Sequence, residues 1–413
     1  MKKHNIIAMA LTSLMALPVI AQDSTPAVGD ILQGINMFTP EEGDPAYKVK
    51  ANEKYGTQWG VDMAYGLWNT EKVSDVKRHN NLALLHAQLN QRLIEDKANG
   101  GTWLRVEFSG SWGLDRESAQ SDTFFTEAYA TASGLHADAM GPHEGIFPEV
   151  ALMQYFAGKR ACLIAGMVNL TNYFDAVSIA NDSFSSFTND GFVNSTILPL
   201  VDSNIGGILQ VELNRNNYMM VAVSRTGCDS GYNPFNSDYC DGYAVVGEYG
   251  HIFADGAATL RINPFYTSTD VDMDDGTGER RRQNAGLVAS IEAGLVASIE
   301  YTPCDPLTIY SRAGFAAKQY LSNSAEFSVG ANIKLFPSRE DDFLGISYGV
   351  FKGQTPCDGE RAEHNREQVL EVMYSFQVND YFKVVPHFQY IANPAYSTSS
   401  ENILWGVQAV FSF

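Results

Sequence analysis

The C-terminal stretch Asn402–Phe413 reads N-I-L-W-G-V-Q-A-V-F-S-F and decides the fold of this chain. All of its odd-numbered positions are apolar, whereas its even-numbered positions are mixed. Because successive side chains of a β-strand point to opposite faces, the alternation predicts a strand with one continuous apolar face. An apolar face about 10 residues long is typical of a strand that lies in lipid. The stretch therefore predicts a transmembrane β-barrel.

The N-terminal residues predict the compartment. Lys2 and Lys3 precede an apolar run over 6–17, and V-I-A-Q at 19–22 resembles a cleavage site. This pattern is typical of a secretory signal peptide, which we place at residues 1–21. No later run reaches the roughly 20 apolar residues that a spanning helix requires. We therefore expect export to the outer membrane of a Gram-negative-type cell.

The rest of the chain divides into two predicted regions. Residues 22–56 have no clear period and are expected to form an irregular N-terminal segment in the periplasm or lumen. Residues 57–413 are expected to form the barrel, because about seventeen alternating runs follow one another there. These runs cover 58–68, 82–91, 102–111, 123–131, 148–157, 161–169, 205–213, 218–225, 242–251, 257–266, 286–300, 306–316, 325–336, 342–351, 368–378, 381–391 and 402–413.

The number of strands follows from the connections between the runs. After residue 148 short and long connections alternate, as periplasmic turns and external loops do in barrels. Single-chain bacterial barrels have an even number of strands, so one run is not a strand. The alternation assigns the run 123–131 to a long external loop, 112–147. The sequence therefore predicts an all-β, antiparallel up-and-down barrel of 16 strands with both termini in the periplasm.

One strand carries an internal repeat. The segment 286–292 reads G-L-V-A-S-I-E and recurs at 294–300. The offset is even, so the alternation of faces survives and the copy only lengthens the strand. We expect a tandem duplication without a function of its own, and whether the second copy is real stays open.

Charge and cysteine content exclude some functions. A formal net charge of -20 argues against a nucleic-acid partner, which needs a basic surface. It suits acidic external loops or a lumen that disfavours anions. Cys228 and Cys240 flank a polar loop and could close it as a disulfide, which stays open. The other three of the five cysteines lack the spacing of a zinc site.

Three stretches resemble the carbohydrate-selective porins of the OprB type. Residues 82–113 include N-G-G-T-W-L-R-V, residues 166–207 include G-M-V-N-L-T-N-Y-F-D and S-F-T-N-D-G-F, and residues 367–413 include P-H-F-Q-Y-I-A-N-P. The resemblance implies a passive porin for small hydrophilic solutes, preferentially sugars, with no cofactor and with a long in-folded loop over 166–207. The family's usual acidic residue is His387 here, and Ala395 replaces an expected glycine, which bears on substrate preference.

The inward faces of the predicted strands carry the candidates for solute contact. Aromatic rings suit the apolar side of a pyranose, and charged groups form charge-assisted hydrogen bonds with its hydroxyls. The lumen candidates are Trp103, Arg105, Glu107, Arg261, Arg312, Glu371, His387 and Gln389. Loops 112–147 and 170–204 are predicted to fold inward, although they could instead cap the outside. Their constriction candidates are Asp115, Arg116, Phe124, Asn169, Tyr173, Phe174 and Asp175.

The motifs do not indicate an enzyme. G-x-S-x-G and H-E-x-x-H are absent, so no catalytic residue is predicted. Asp270, Asp272 and Asp274 resemble the start of a calcium loop, but Arg281 stands where a bidentate Glu is required, so no metal is predicted. The expected partners are sugars or other hydrophilic solutes, outer-membrane lipid and lipopolysaccharide, with a homotrimer left open. The alternatives are a general or cation-preferring porin, and a barrel that serves as an adhesin or structural anchor.

Overall fold

Sixteen strands form a closed antiparallel barrel in which neighbours along the chain pair and β1 pairs with β16. The computed structural model describes residues 45–70, 79–114, 133, 136–137, 143–200, 203–226, 242–253, 257–268, 293–304, 306–316, 323–353, 364–394 and 401–413. The strands are β1 (Thr57–Thr70), β2 (His79–Ile94), β3 (Thr102–Gly113), β4 (His143–Phe156), β5 (Ala161–Val168), β6 (Asn204–Asn214), β7 (Asn217–Thr226), β8 (Gly242–Phe253), β9 (Ala258–Thr267), β10 (Ala293–Cys304), β11 (Leu307–Ala316), β12 (Ala325–Ile333), β13 (Phe343–Lys352), β14 (Glu367–Asn379), β15 (Phe382–Ala392) and β16 (Asn402–Ser412). The prediction of a 16-stranded barrel is confirmed.

The C-terminal strand has the two faces that its alternation predicts. Trp405 is 50% exposed on the outer face, whereas its neighbour Leu404 is 1% exposed on the inner face. Phe413 exchanges two backbone hydrogen bonds with Val61, of 2.8 and 3.0 Å, and so extends the pairing of β16 with β1. The last residues of the chain therefore close the barrel and also contribute to its apolar exterior.

The connections differ in length at the two ends of the barrel. Short turns such as 215–216 and 380–381 lie at one end, together with the start of β1 and the end of β16. Long connections such as 169–203 leave the opposite end. The run 123–131, the repeat copy 286–292, the pair Cys228 and Cys240, and the aspartates of 270–274 lie outside the described residues.

A short helix precedes the barrel at the short-turn end. This helix, α1 (Ala46–Tyr55), occupies part of a segment whose sequence pattern indicates no regular structure. It ends at Gly56, whose φ of 65° is favoured by glycine and which caps the helix with its N–H. Among the described residues, no helix combines the length and apolarity needed to cross a membrane.

The interior of the barrel contains packed side chains rather than only a polar lining. The described part of the connection from β5 to β6, residues 169–200, lies inside the barrel and is called the in-folded segment here. It contains a 3-10 turn (Leu170–Asn172) and the single-turn helix α2 (Asp190–Val193). Its buried apolar side chains pack in two clusters against the inward faces of the strands. These side chains include Leu170, Phe174, Val177, Phe187, Phe192, Ile197 and Leu198.

Trp68 packs tightly against the barrel's closing strand. Its side chain is fully buried, and a Cβ added at Gly406 would lie 2.7 Å from both Trp68 Cδ2 and the Leu67 carbonyl oxygen. We expect Gly406→Ala to lower barrel stability by about 1–3 kcal/mol through overpacking. The midpoint of heat-induced unfolding on a gel measures this. Gly207→Ala is the matched control, since its nearest neighbour is 3.4 Å away, and an equal loss in both variants would contradict the prediction.

Candidate functional site

Glutamates on the barrel wall hold the in-folded segment through one repeated contact. In each case a Ser or Thr of the segment donates both its backbone N–H and its hydroxyl to the same carboxylate. The donor–acceptor distances are 2.8–2.9 Å, and we call these contacts the carboxylate clamps. The three clamps are Ser178 with Glu300 on β10, Thr188 with Glu371 on β14, and Thr196 with Glu326 on β12.

Arg312 on β11 binds the middle of the in-folded segment. Its guanidinium forms an ion pair with Asp175, with Nε 2.6 Å from Oδ2, and both side chains are fully buried. Nη1 also donates to the carbonyl oxygens of Gly191 and Phe192 at 3.1 and 3.2 Å. These carbonyls belong to α2, so the same cation neutralises Asp175 and caps a helix end.

A second arginine organises the start of the segment. Arg105 Nε lies 3.0 Å from Glu149 Oε2, and Tyr173 Oη donates to Glu149 Oε1 at 2.5 Å. Asn172 Nδ2 donates to Glu107 Oε2 at 2.6 Å. The buried carboxylates of β3 and β4 therefore orient the 3-10 turn.

The neighbouring wall continues this network. Glu248 on β8 accepts from the backbone N–H of Asp175 at 2.8 Å and from Tyr218 Oη and Asn263 Nδ2, both at 2.7 Å. Arg261 faces the same carboxylate and attracts it electrostatically. The left-handed backbone of Asp175, with a φ of 55°, is therefore held by charges on two sides.

The last group of predicted residues surrounds the clamp at Glu371. His387 Nδ1 lies 3.1 Å from Glu371 Oε1, and Gln389 Nε2 donates to Thr188 Oγ1 at 2.9 Å. The loop residue His136 reaches the same region, where its ring meets Trp68 edge-on at 5.5 Å. Burial, together with the nearby His387, lowers the pKa of His136 to about 3, so this imidazole is neutral near pH 7.

The described lumen and constriction candidates all lie inside the barrel, and most belong to this network. Trp103 is the exception: it donates to the Gly100 carbonyl at 2.9 Å, near the short-turn end, with Arg92 over its ring. Asn169, Tyr173, Phe174 and Asp175 are buried in the in-folded segment. Asp115, Arg116 and Phe124 lie outside the described residues. Contact of any of these residues with a solute stays a prediction.

Four charged or titratable side chains that the sequence did not single out interact where water reaches the interior: Asp62 lies opposite His86 on the neighbouring strand and is within electrostatic range of Asp182 and Lys383. We call them the lumen cluster: Asp62, His86, Asp182 and Lys383. Asp182 is exposed, and His86 retains 24% of its side-chain exposure. The ring of Phe184 lies 6.3 Å from that of His86. The alternation already placed Asp62 and Lys383 on inward faces, but only the fold brings Asp182 within electrostatic range of Asp62.

No set of three His, Cys, Asp or Glu side chains within the described ranges is arranged to hold a metal ion. The described site therefore combines an acidic wall, three interior arginines and an immobilised loop. Such an arrangement can narrow a lumen and present polar groups at its edge.

Comparisons with known proteins agree with this architecture. The family model of the carbohydrate-selective porins, OprB family, matches residues 122–413. The high-pH structure of Pseudomonas putida OprB aligns with a TM-score of 0.72 at 14% identity, covering 89% of this chain and 96% of that one. The low-pH structure of the same protein gives 0.52 at 11% identity, covering 89% and 95%. A triple mutant of the Rhodopseudomonas blastica porin gives 0.51 at 10% identity, covering 86% and 100%. No curated protein matches the chain.

Proposed function

This chain belongs to the OprB family of carbohydrate-selective porins, and on that premise we propose that sugars cross its barrel by passive diffusion past the lumen cluster. The barrel is of the outer-membrane type, with an apolar exterior suited to lipid. We place it in the outer membrane of a Gram-negative-type cell, with residues 1–21 as its signal peptide and its outer face against lipid. A gradient of solute is the driving force, and the family and fold are those of a channel.

The observation that carries the proposal is the position of the lumen cluster. Asp62 lies opposite His86 on the neighbouring strand and interacts electrostatically with Asp182 and Lys383, and the ring of Phe184 lies 6.3 Å from that of His86, where the interior remains open to water. Charged groups give the stronger hydrogen bonds to hydroxyls, and an aromatic ring offers a surface to the apolar face of a sugar. A sugar can therefore exchange its hydration shell for these groups as it passes.

The buried arginines and glutamates have a different role in this proposal. Arg312 and Glu371 are fully buried and bind the in-folded segment directly, and the equally buried Arg105 pairs with Glu149, which accepts a hydrogen bond from Tyr173. They therefore position the constriction, and the partly exposed lumen cluster contacts the solute. In this proposal the buried residues set the width of the pore, and the lumen cluster sets its preference for sugars over other solutes.

Liposome swelling tests the proposal directly. The refolded protein should admit glucose faster than an uncharged amino acid of similar size, and a disaccharide more slowly than glucose. Rates that depend on solute size alone would indicate a general porin. Protein that is folded and inserted but gives no swelling would reject the channel. The reversal potential across a KCl gradient distinguishes a cation-preferring pore from a sugar-selective porin and from a general porin.

A double variant tests the lumen cluster. Asp62→Asn with Asp182→Asn keeps both side-chain shapes and removes two charges. We expect glucose entry to fall roughly fivefold, the equivalent of about 1 kcal/mol of lost charge-assisted hydrogen bonding. Entry of the amino acid should change less. Glu95→Gln removes a carboxylate from an exposed turn and is the control. Equal loss for both solutes would show that the cluster does not select sugars.

A further inference from the structure

The helix α1 is attached to the outside of the barrel wall at the short-turn end. Tyr47 stacks on Trp59, with ring centroids 6.1 Å apart, and Lys48 Nζ lies 4.8 Å above the same ring. Trp59 has the same parity on β1 as Met63 and Leu67, which are exposed on the outer face. The first turn of the helix therefore lies beside the lipid-facing surface and not in the lumen.

The rest of the helix is fixed to the rim of the barrel. Gln91 Nε2 donates to the carbonyl oxygen of Tyr55 at 2.9 Å. Gln58 Nε2 donates to Asn52 Oδ1 at 3.2 Å. These contacts hold the orientation of the helix relative to the wall, so its exposed side chains occupy defined positions.

Aromatic side chains mark the membrane boundary beside the helix. Tyr381 and Phe413 stack at 6.1 Å, and Phe382 and Phe411 stack at 4.6 Å, on the outer face at the same end. Aromatic girdles of this kind lie at the two membrane–water interfaces of a barrel. Trp59 precedes Val61, the residue that pairs with Phe413, so α1 lies just beyond this girdle. That position corresponds to the depth of lipid headgroups.

The charge of the helix is opposite to that of the chain. α1 carries Lys48, Lys50 and Lys54 but only one acidic residue, Glu53, whereas the whole chain has a formal net charge of -20. Lys50 and Lys54 are exposed, and the helix has no buried side chain. Lysines next to an interfacial aromatic ring are the groups that attract anionic headgroups.

We propose that α1 binds the phosphates of anionic phospholipids in the periplasmic leaflet of the outer membrane. The lysines supply the charge, and the Tyr47–Trp59 stack sets their depth. The inference rests on the proposed membrane location but not on the proposed solute.

Binding of a short-chain anionic lipid tests this inference. The folded protein in an uncharged detergent is titrated with dioctanoyl phosphatidylglycerol and, separately, with dioctanoyl phosphatidylcholine. We expect the anionic lipid to bind more tightly, and the variant K48Q/K50Q/K54Q to lose at least tenfold in affinity, since each lysine near a surface contributes roughly a fivefold factor. K48R/K50R/K54R should retain binding, because it keeps the charge.

A charge-matched control distinguishes the effect of the α1 lysines from the effect of the total positive charge at this end of the barrel. K97Q/K159Q/R215Q removes three positive charges from other turns at the same end and should change the affinity less than twofold. Equal losses in both triple variants, or equal binding of the two lipids, would overturn the proposal. Swelling of liposomes that contain K48Q/K50Q/K54Q should match the parent protein. If swelling were absent in every variant while lipid selectivity persisted, only the proposed function would fail.

Discussion

Replacing Arg312 with alanine is expected to undock the in-folded segment and to raise the single-channel conductance. The substitution leaves Asp175 as a buried carboxylate without its cation and removes the donor to two carbonyls of α2. Removing one partner of a buried ion pair lowers stability by about 3–5 kcal/mol. A change of this size shifts the docking equilibrium by roughly a hundredfold or more. The segment should then leave the lumen for much of the time, and the preference for sugar should weaken.

Chymotrypsin gives an independent measure of undocking. Phe174, Phe187 and Phe192 are fully buried in the parent protein, so cleavage after them reports exposure of the segment. Arg312→Met with Asp175→Asn removes both charges and keeps a residue that tolerates a positive φ, so it should recover part of the loss. Arg215→Ala in an exposed turn is the control. Unchanged conductance and cleavage in Arg312→Ala, with the barrel intact, would contradict the role of this arginine.

Replacing Glu371 with alanine is expected to have the second largest effect. Its carboxylate accepts the N–H and hydroxyl of Thr188 at 2.9 Å and the N–H of Asn189 at 3.0 Å. These donors are buried, and each unsatisfied buried donor costs about 1–3 kcal/mol. We expect a total loss of about 2–4 kcal/mol in the docking of the segment. Glu371→Gln should also be impaired, because an amide nitrogen would face N–H donors.

The clamp at Ser178 provides the matched comparison. Glu300 accepts the corresponding backbone N–H and hydroxyl of Ser178 at 2.8 Å each, but this contact is exposed. Water can therefore replace the lost partner, and Glu300→Ala should cost less than about 1 kcal/mol. Conductance noise and chymotrypsin cleavage of both variants test the difference. Equal effects at the two sites would show that burial does not determine the strength of a carboxylate clamp.

The charged residues of the barrel interior have two possible roles, sugar contact and support of the in-folded segment, and the sequence alone favoured the first. Arg105, Arg312 and Glu371 have the chemistry expected for a sugar contact, and they do face inward. In the structure Arg312 and Glu371 bond to the backbone and a hydroxyl of the in-folded segment, whereas Arg105 bonds to Glu149 and Gln88 on the barrel wall. Charged groups that can form several hydrogen bonds suit the hydroxyls of a sugar. They equally suit the backbone N–H and C=O groups of a buried loop, which have no partners in a helix or sheet.

The helix α1 could not be found from the spacing of apolar residues in the sequence. It is one short helix without a buried side chain, so it has no apolar stripe for the sequence to display. Its position depends on Trp59, Gln58 and Gln91, which belong to the barrel. The helix was therefore not predictable before the strands were arranged.

The sequence by itself determined the fold class, the number of strands, the ends at which turns and loops lie, and the apolar outer face of the strands whose alternation is clear. It could do so because successive side chains of a strand point to opposite faces, which is a local property, and because single-chain bacterial barrels have an even number of strands, which limits the count. Only the tertiary structure decided that Thr188 contacts Glu371, 183 residues away, and that Asp182 comes within electrostatic range of Asp62. Such contacts depend on the path of an irregular segment through the lumen, and no period in the sequence encodes that path.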